Sequence, residues 1–257
     1  MQVWKKSSDY EFNASVFDTS SILLGAKIAL ILLTLFFLGK ASSQGLEVAP
    51  VLIELAARDR AEQVVLKNRT SKAMSFGLSM QLWSQRDGED VLTATEVFVV
   101  SPPAVTLKPG ETRTIRLLRT EPPDDVMESS YRLILEEIPL KENKVPGRPT
   151  LTLVLSIPLF AAPLVESAPD FRVALKKDVS KRQQILTVNN LGKIRAQILS
   201  AQLLALGKPL NDPLPLIGYA LPGQSRSWEI SNDQLVGADA IKIALPGGDV
   251  RTLPIVQ

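Results

Sequence analysis

The side chains that usually carry covalent chemistry are missing from this sequence or scattered through it. There is no histidine and no cysteine. Their absence removes the imidazole base, the thiolate nucleophile and the common zinc, haem and iron–sulfur ligands. The carboxylates form no spaced pair of the kind acid–base catalysis needs. An enzyme is therefore not expected, nor a cofactor or a metal. The sequence does hold residues arranged for binding. In Thr150 to Phe160, TLTLVLSIPLF, the side chains of Leu151, Leu153, Leu155 and Ile157 recur at every second position. Successive side chains of a strand point to opposite faces, so these four make one aliphatic row. Two readings are open: an ordinary core strand, or an edge strand that lends its row to another protein.

Composition narrows the partner. The 257 residues are 45% hydrophobic and 22% charged, ordinary for a globular chain of one or two domains. Lysine and arginine number 29 against 27 acidic residues, a net charge of +2. With no basic excess and only three Trp and three Tyr, no nucleic acid partner is expected.

Ile28 to Leu38, IALILLTLFFL, is an uncharged apolar run preceded by Lys27 and followed by Ala41, Ser42 and Ser43. A positive flank, a short apolar stretch and small residues are the layout of a secretory signal, here residues 1–43 with cleavage after Ser43. The long polar lead Met1 to Ser21 and Lys40 also allow an uncleaved anchor, although the run is short against the roughly 20 residues of a spanning helix. Removing residues 1–43 takes away Lys5, Lys6, Lys27 and Lys40 and also Asp9, Glu11 and Asp18, leaving 25 basic against 24 acidic residues. A nearly neutral chain does not call for a polyanionic partner.

Beyond the signal the pattern is almost entirely strand. Leu46 to Leu55 reads as an edge strand with Pro50 near its middle. Ala61 to Asn68, Met74 to Trp83, Phe98 to Leu107, Thr114 to Leu118 and Ser130 to Ile138 follow, with Gln85 to Asp90 as a polar loop and Pro109-Gly110 as a turn. With Thr150 to Phe160 these make an immunoglobulin-like β-sandwich over residues 44–164.

Several of these segments carry a resemblance. Ser101-Pro102-Pro103, then Leu107-Lys108-Pro109-Gly110 and Thr114-Ile115-Arg116, resemble a signature of the periplasmic pilus-assembly chaperones, the PapD-like family. Tyr131-Arg132-Leu133 with Glu136-Glu137-Ile138-Pro139 is similar to that family's sixth-strand motif, and Ile157 to Pro163, IPLFAAP, to the end of its seventh strand. The resemblance implies an all-β fold of two immunoglobulin-like domains in a boomerang arrangement, and a periplasmic location. It also implies a mechanism. Pilin subunits lack their last strand, and the chaperone lays its seventh strand into the gap: donor-strand complementation. Leu151, Leu153, Leu155 and Ile157 are then the donated row, pilin subunits and an outer-membrane usher the partners, and self-association a possibility for the free chaperone. The loop Lys141 to Arg148, KENKVPGR, is expected to order only on a partner.

The sequence departs from the family at one place. Many members hold the subunit's C-terminal carboxylate with an Arg on the first strand and a Lys at the end of the seventh. The matching positions here are Leu52 and Pro158, which offer no charge-assisted bond. In this the chain more closely resembles the divergent archaic or alternative branch. Arg148 or Arg132 is the candidate anchor in their place.

Residues 165–257 follow a Pro-marked connector. Phe171 to Leu175, Gln184 to Asn189, Ala196 to Leu204, Ser227 to Ile230 and Ile241 to Ile243 read as strands of a second, smaller sandwich. Tyr219-Ala220-Leu221-Pro222-Gly223 before Arg226-Ser227-Trp228 resembles the same divergent branch. An exported structural or adhesive two-domain protein of a surface assembly is the alternative to a chaperone.

Overall fold

A computed structural model describes residues 45–140, 151–178, 183–230 and 237–256. The expected signal, the loop Lys141 to Arg148 and the candidate Arg148 lie outside the described residues.

The first sandwich contains β1 (Leu46–Ala49), β2 (Ile53–Leu55), β3 (Ala61–Asn68), β4 (Met74–Arg86), β5 (Glu89–Ala94), β6 (Phe98–Ser101), β7 (Ala104–Leu107), β8 (Thr112–Arg119), β9 (Ser129–Glu137) and β10 (Val154–Ala161). One sheet has the order β1-β3-β8-β6; the other has the order β2-β10-β9-β4-β5, with β7 also paired to β4. Alternation builds the core between them. Val64 and Leu66 of β3 and Ile115 and Leu117 of β8 face Phe76, Leu78 and Met80 of β4, with Leu133 and Leu135 of β9 and Ile157 and Leu159 of β10 in the same cluster.

Prolines change two expected strands. Leu46 to Leu55 is two strands, β1 and β2, separated at Pro50 and placed in different sheets. Phe98 to Leu107 divides likewise at Pro102-Pro103 into β6 and β7. Proline supplies no amide to a ladder, so each strand can leave one sheet there and enter the other. The expected loop Gln85 to Asp90 is instead a hairpin. β4 runs on to Arg86, Asp87 and Gly88 turn at φ 54° and 81°, and Arg86 pairs with Glu89. Asp-Gly is the residue pair that a two-residue hairpin with both φ values positive favours.

The second sandwich contains β11 (Phe171–Asp178), β12 (Gln183–Asn190), β13 (Ala196–Ala205), β14 (Lys208–Pro209), β15 (Leu214–Ala220), β16 (Ser225–Ile230), β17 (Ala240–Ala244) and β18 (Val250–Val256). These form one sheet, order β14-β13-β17-β18-β11-β12-β16 with β15 on β13, wrapped around its own core. A short parallel contact, Val173 with Ile255 and Ala174 with Val256, joins its two halves. The strands β14, β15 and β18 were not expected. β15 and β18 carry prolines, Pro215 and Pro254, that interrupt a period-two reading.

Candidate functional site

Strand β10 has one closed edge and one half-open edge. Along its whole length it pairs antiparallel with β9, from Val154↔Glu136 to Ala161↔Ser129. On the other side β2 reaches only Leu159, Phe160 and Ala161. The Glu137 amide donates to the Leu153 carbonyl at 2.9 Å. Bonded pairs alternate in an antiparallel ladder, so Leu155, Ile157 and Leu159 also turn their backbone groups toward β9. Val154 and Ser156 turn theirs the other way, where no described strand meets them, and each presents an N–H and a C=O to that side.

The aliphatic row leaves the core along this strand. Ile157 is 5% exposed and belongs to the first sandwich's own core, and Leu155 packs against the edge of that core. Leu153 is 37% exposed and Leu151 92%. The structure divides the four: Ile157 serves the chain's own fold, Leu155 sits at the boundary, Leu153 is partly exposed and Leu151 lies in solvent. The regular strand begins at Val154, later than the expected Thr150.

The opposite face of β10 meets the second sandwich. Trp83, Phe160 and Leu221 form a separate buried cluster, joined by Leu52 and Tyr219. Leu52, one of the two positions that the resemblance singled out, packs in this cluster. The Trp83 ring lies 5.7 Å from Phe160, centroid to centroid, and 5.7 Å edge-on from Tyr219. Pro158 is opposite Arg132 on β9, and Arg132 opposite Gln81 on β4. The Arg132 guanidinium sits 3.6 Å from the Trp83 ring centroid. Burial pulls the Arg132 pKa down, while Asp90 and Tyr219 act to raise it. Among the described residues no carboxylate pairs with Arg132, and the buried Trp83 Nε1 has no hydrogen-bond partner. A half-buried guanidinium on an aromatic face, with Asp90 in its field but no ion-pair partner among the described residues, is suited to receive a carboxylate.

Two sets of polar contacts hold the sandwiches together around this cluster. Gln85 Nε2 donates to the Tyr219 carbonyl at 2.7 Å, and the Leu221 amide donates to Gln85 Oε1 at 2.9 Å. The Arg226 guanidinium donates to the Gly88 carbonyl and to Glu89 Oε2, each at 2.7 Å, and the Ser227 amide donates to the Gly88 carbonyl at 2.9 Å. On the other side Arg195 binds Glu128 at 2.5 Å and also Glu54. Burial, the largest influence on Glu128, raises its pKa, and Arg195 opposes that rise.

The structure thus places Leu155, Ile157 and Arg132 in one sheet, with Leu153 and Leu151 in the segment that leads into β10 and Arg132 toward the second sandwich. Sequence reasoning missed Trp83, Phe160, Tyr219, Arg195 and Glu128. Trp83 and Phe160 lie in alternating strands on the face opposite the core, so a large aromatic at an expected outward position was the available signal.

Comparison with known proteins agrees with this architecture. Residues 45–165 match the model of the family described as "Pili and flagellar-assembly chaperone, PapD N-terminal domain". None of the curated proteins compared matches the sequence. Among solved structures, the CsuC–CsuE chaperone–tip adhesion subunit pre-assembly complex from archaic chaperone-usher Csu pili of Acinetobacter baumannii aligns with TM-score 0.67 and 21% identity, over 83% of this chain and 100% of that one. The Salmonella enterica SafA pilin in complex with the SafB chaperone aligns with TM-score 0.57 and 14% identity, over 83% and 97%. The Pseudomonas aeruginosa CupB2 chaperone aligns with TM-score 0.52 and 14% identity, over 82% and 100%. At these identities the structural matches speak for the fold, two immunoglobulin-like sandwiches. The matched segment, residues 45–165, contains β1 to β10 and the half-open strand, so it is the first sandwich that is similar to the PapD N-terminal domain of pili and flagellar-assembly chaperones.

Proposed function

We propose that the chain binds pilin-type subunits in the periplasm by adding the open edge of β10 to their incomplete sandwich, and passes them to an outer-membrane usher. The observation that carries this reading is the rise in exposure along the aliphatic row, from Ile157 at 5% to Leu151 at 92%, beside a backbone edge at Val154 and Ser156 that no described strand meets. A subunit strand running along that edge gains main-chain bonds from Val154 and Ser156 and places its groove over Leu153 and Leu151. Desolvating one leucine fully is worth roughly 1.5–3 kcal/mol before ordering costs. Arg132, held on Trp83 beside Pro158, is the proposed anchor for the subunit's terminal carboxylate. The residues that hold the fold hold this site as well, and the reading requires no bond chemistry.

The test is co-purification from the periplasm. Wild-type chain should carry a small β-rich subunit, and Leu153→Glu should lose it while keeping its melting temperature. Equal capture by the variant would overturn the reading. So would a purified chain that polymerises by itself and captures no subunit, the result expected of the structural or adhesive alternative.

A further inference from the structure

The ladder between β9 and β10 ends at the pair Val154 and Glu136, and one step beyond it the Glu137 amide donates to the Leu153 carbonyl at 2.9 Å. The reciprocal bond of such a pair runs from the Leu153 amide to the Glu137 carbonyl. Here the Leu153 amide donates instead to the Glu137 carboxylate, at 3.0 Å to Oε2. The chain just after Glu137 is held on the other side, where the Ile138 amide donates to the Ser75 carbonyl of β4 at 2.7 Å. β9 is therefore fixed to β4 at the level where β10 begins to leave it. The side chain of Glu137 spans the widening gap.

We propose that Glu137 is a positioning residue for the exposed aliphatic row: its carboxylate clasps the Leu153 amide and keeps Leu151 to Leu153 extended in line with β10. This rests on the reading of the row as the subunit-binding element. A free segment with 92% of Leu151 exposed loses its conformational entropy when a partner orders it. A charge-assisted bond to the backbone at Leu153 removes part of that loss in advance. The clasp acts on the backbone alone. It leaves the Leu153 side chain free on the row's face, and it occupies an amide directed at β9 rather than at the open edge. Subunit and clasp do not compete for the same donor.

Hydrogen exchange and subunit kinetics test this separately. In the free full chain, Glu137→Ala should raise the exchange rate of the Leu153 amide at least tenfold, with amides of β3 and β8 unchanged. With a co-purifying subunit, the same variant should slow association about three- to tenfold. Glu137→Gln, which keeps an acceptor at the same reach, should restore most of both. Unchanged Leu153 exchange in Glu137→Ala overturns the clasp, whether or not a subunit is found. Faster exchange with unchanged subunit association overturns its positioning role. If the wild-type chain binds no subunit, the proposed function falls, while the exchange result still reports on the clasp.

Discussion

The Arg195 guanidinium lies 3.9 Å from the ring centroid of Phe160. Arg195 belongs to the second sandwich and Phe160 to β10, so the second sandwich grips the root of the strand whose other end is exposed. The same guanidinium bonds to Glu128 and Glu54 of the first sandwich. One cation therefore ties the open strand's base, the segment before β9 and β2 to the neighbouring domain.

Arg195→Ala should expose what that tie compensates. The Glu128 side chain is only 5% exposed, and removing one partner of a buried pair costs about 3–5 kcal/mol. Burial raises the pKa of Glu128 and Arg195 opposes this. Without the guanidinium only the residue-195 amide still opposes the rise, and the folded state holds the Glu128 proton more tightly than it does in the wild type. Its contribution to stability is then present at low pH and lost as pH rises through the folded-state pKa. The melting-temperature gap between wild type and Arg195→Ala should therefore narrow from pH 7.5 to pH 5. A gap that stays constant or widens would show that Glu128 does not depend on Arg195.

The row should separate into two classes of variant. Ile157→Ala removes a side chain from the first sandwich's own core and should cost about 2–5 kcal/mol in denaturant unfolding. Leu151→Ala removes a side chain that touches almost nothing and should leave the midpoint within about 0.5 kcal/mol, the range of surface substitutions. Subunit capture should follow a different order, with Leu153 and Leu151 variants losing it while fully folded. If Leu151→Ala unfolds as readily as Ile157→Ala, the segment packs in solution and is no free row.

The sequence shows why only part of this was legible. Val64 and Leu66, Ile115 and Leu117, and Leu133 and Leu135 alternate cleanly, and all are core residues as period two requires. Alternation gives a face but not its end, so it grouped Ile157 with Leu151 although one is inside the fold and the other outside. The difference arises from the length of β10, which begins at Val154, so Ile157 lies over the first sandwich's core and Leu151 lies beyond the strand. Nothing local to Thr150–Phe160 encodes that length. The interface between sandwiches was illegible for a related reason. Gln85 and Arg226 bind across 139 and 138 positions to Gln224 and Gly88 respectively. Such polar residues read as surface when only their neighbours in sequence are considered.

Gly88 offers a test of how the sandwiches are joined. Its φ is +81°, and a Cβ there would lie 2.7 Å from the Ser227 Cβ. Gly88→Ala should cost about 1–2 kcal/mol for the left-handed backbone alone. The added methyl should also push the β4–β5 turn off β16, breaking the bonds from Ser227 and Arg226 to the Gly88 carbonyl. Protease sensitivity of the connector, residues 162–170, should rise. Gly88→Ala with Ser227→Gly, which removes the opposing side chain, should recover the protease resistance but not the backbone cost. Equal sensitivity in the single and double variants would place the effect in the turn itself.

Trp83 should report directly on the proposed anchor. Its ring is stacked under Arg132 and packed against Phe160 and Tyr219, and a carboxylate arriving at Arg132 alters the field at the indole. The other tryptophans of the sequence are Trp4 and Trp228, so Trp4→Phe with Trp228→Phe isolates the signal. Subunit binding to that variant should shift Trp83 emission, and a subunit with an amidated C-terminus should shift it less. Arg132→Ala should weaken the intact subunit by the loss of a charge-assisted bond, about 1.5–3 kcal/mol or roughly ten- to a hundredfold in affinity. It should hardly affect the amidated form, whose terminus carries no charge. Equal weakening of both forms would mean that Arg132 acts through packing on Trp83, and that the carboxylate is held elsewhere.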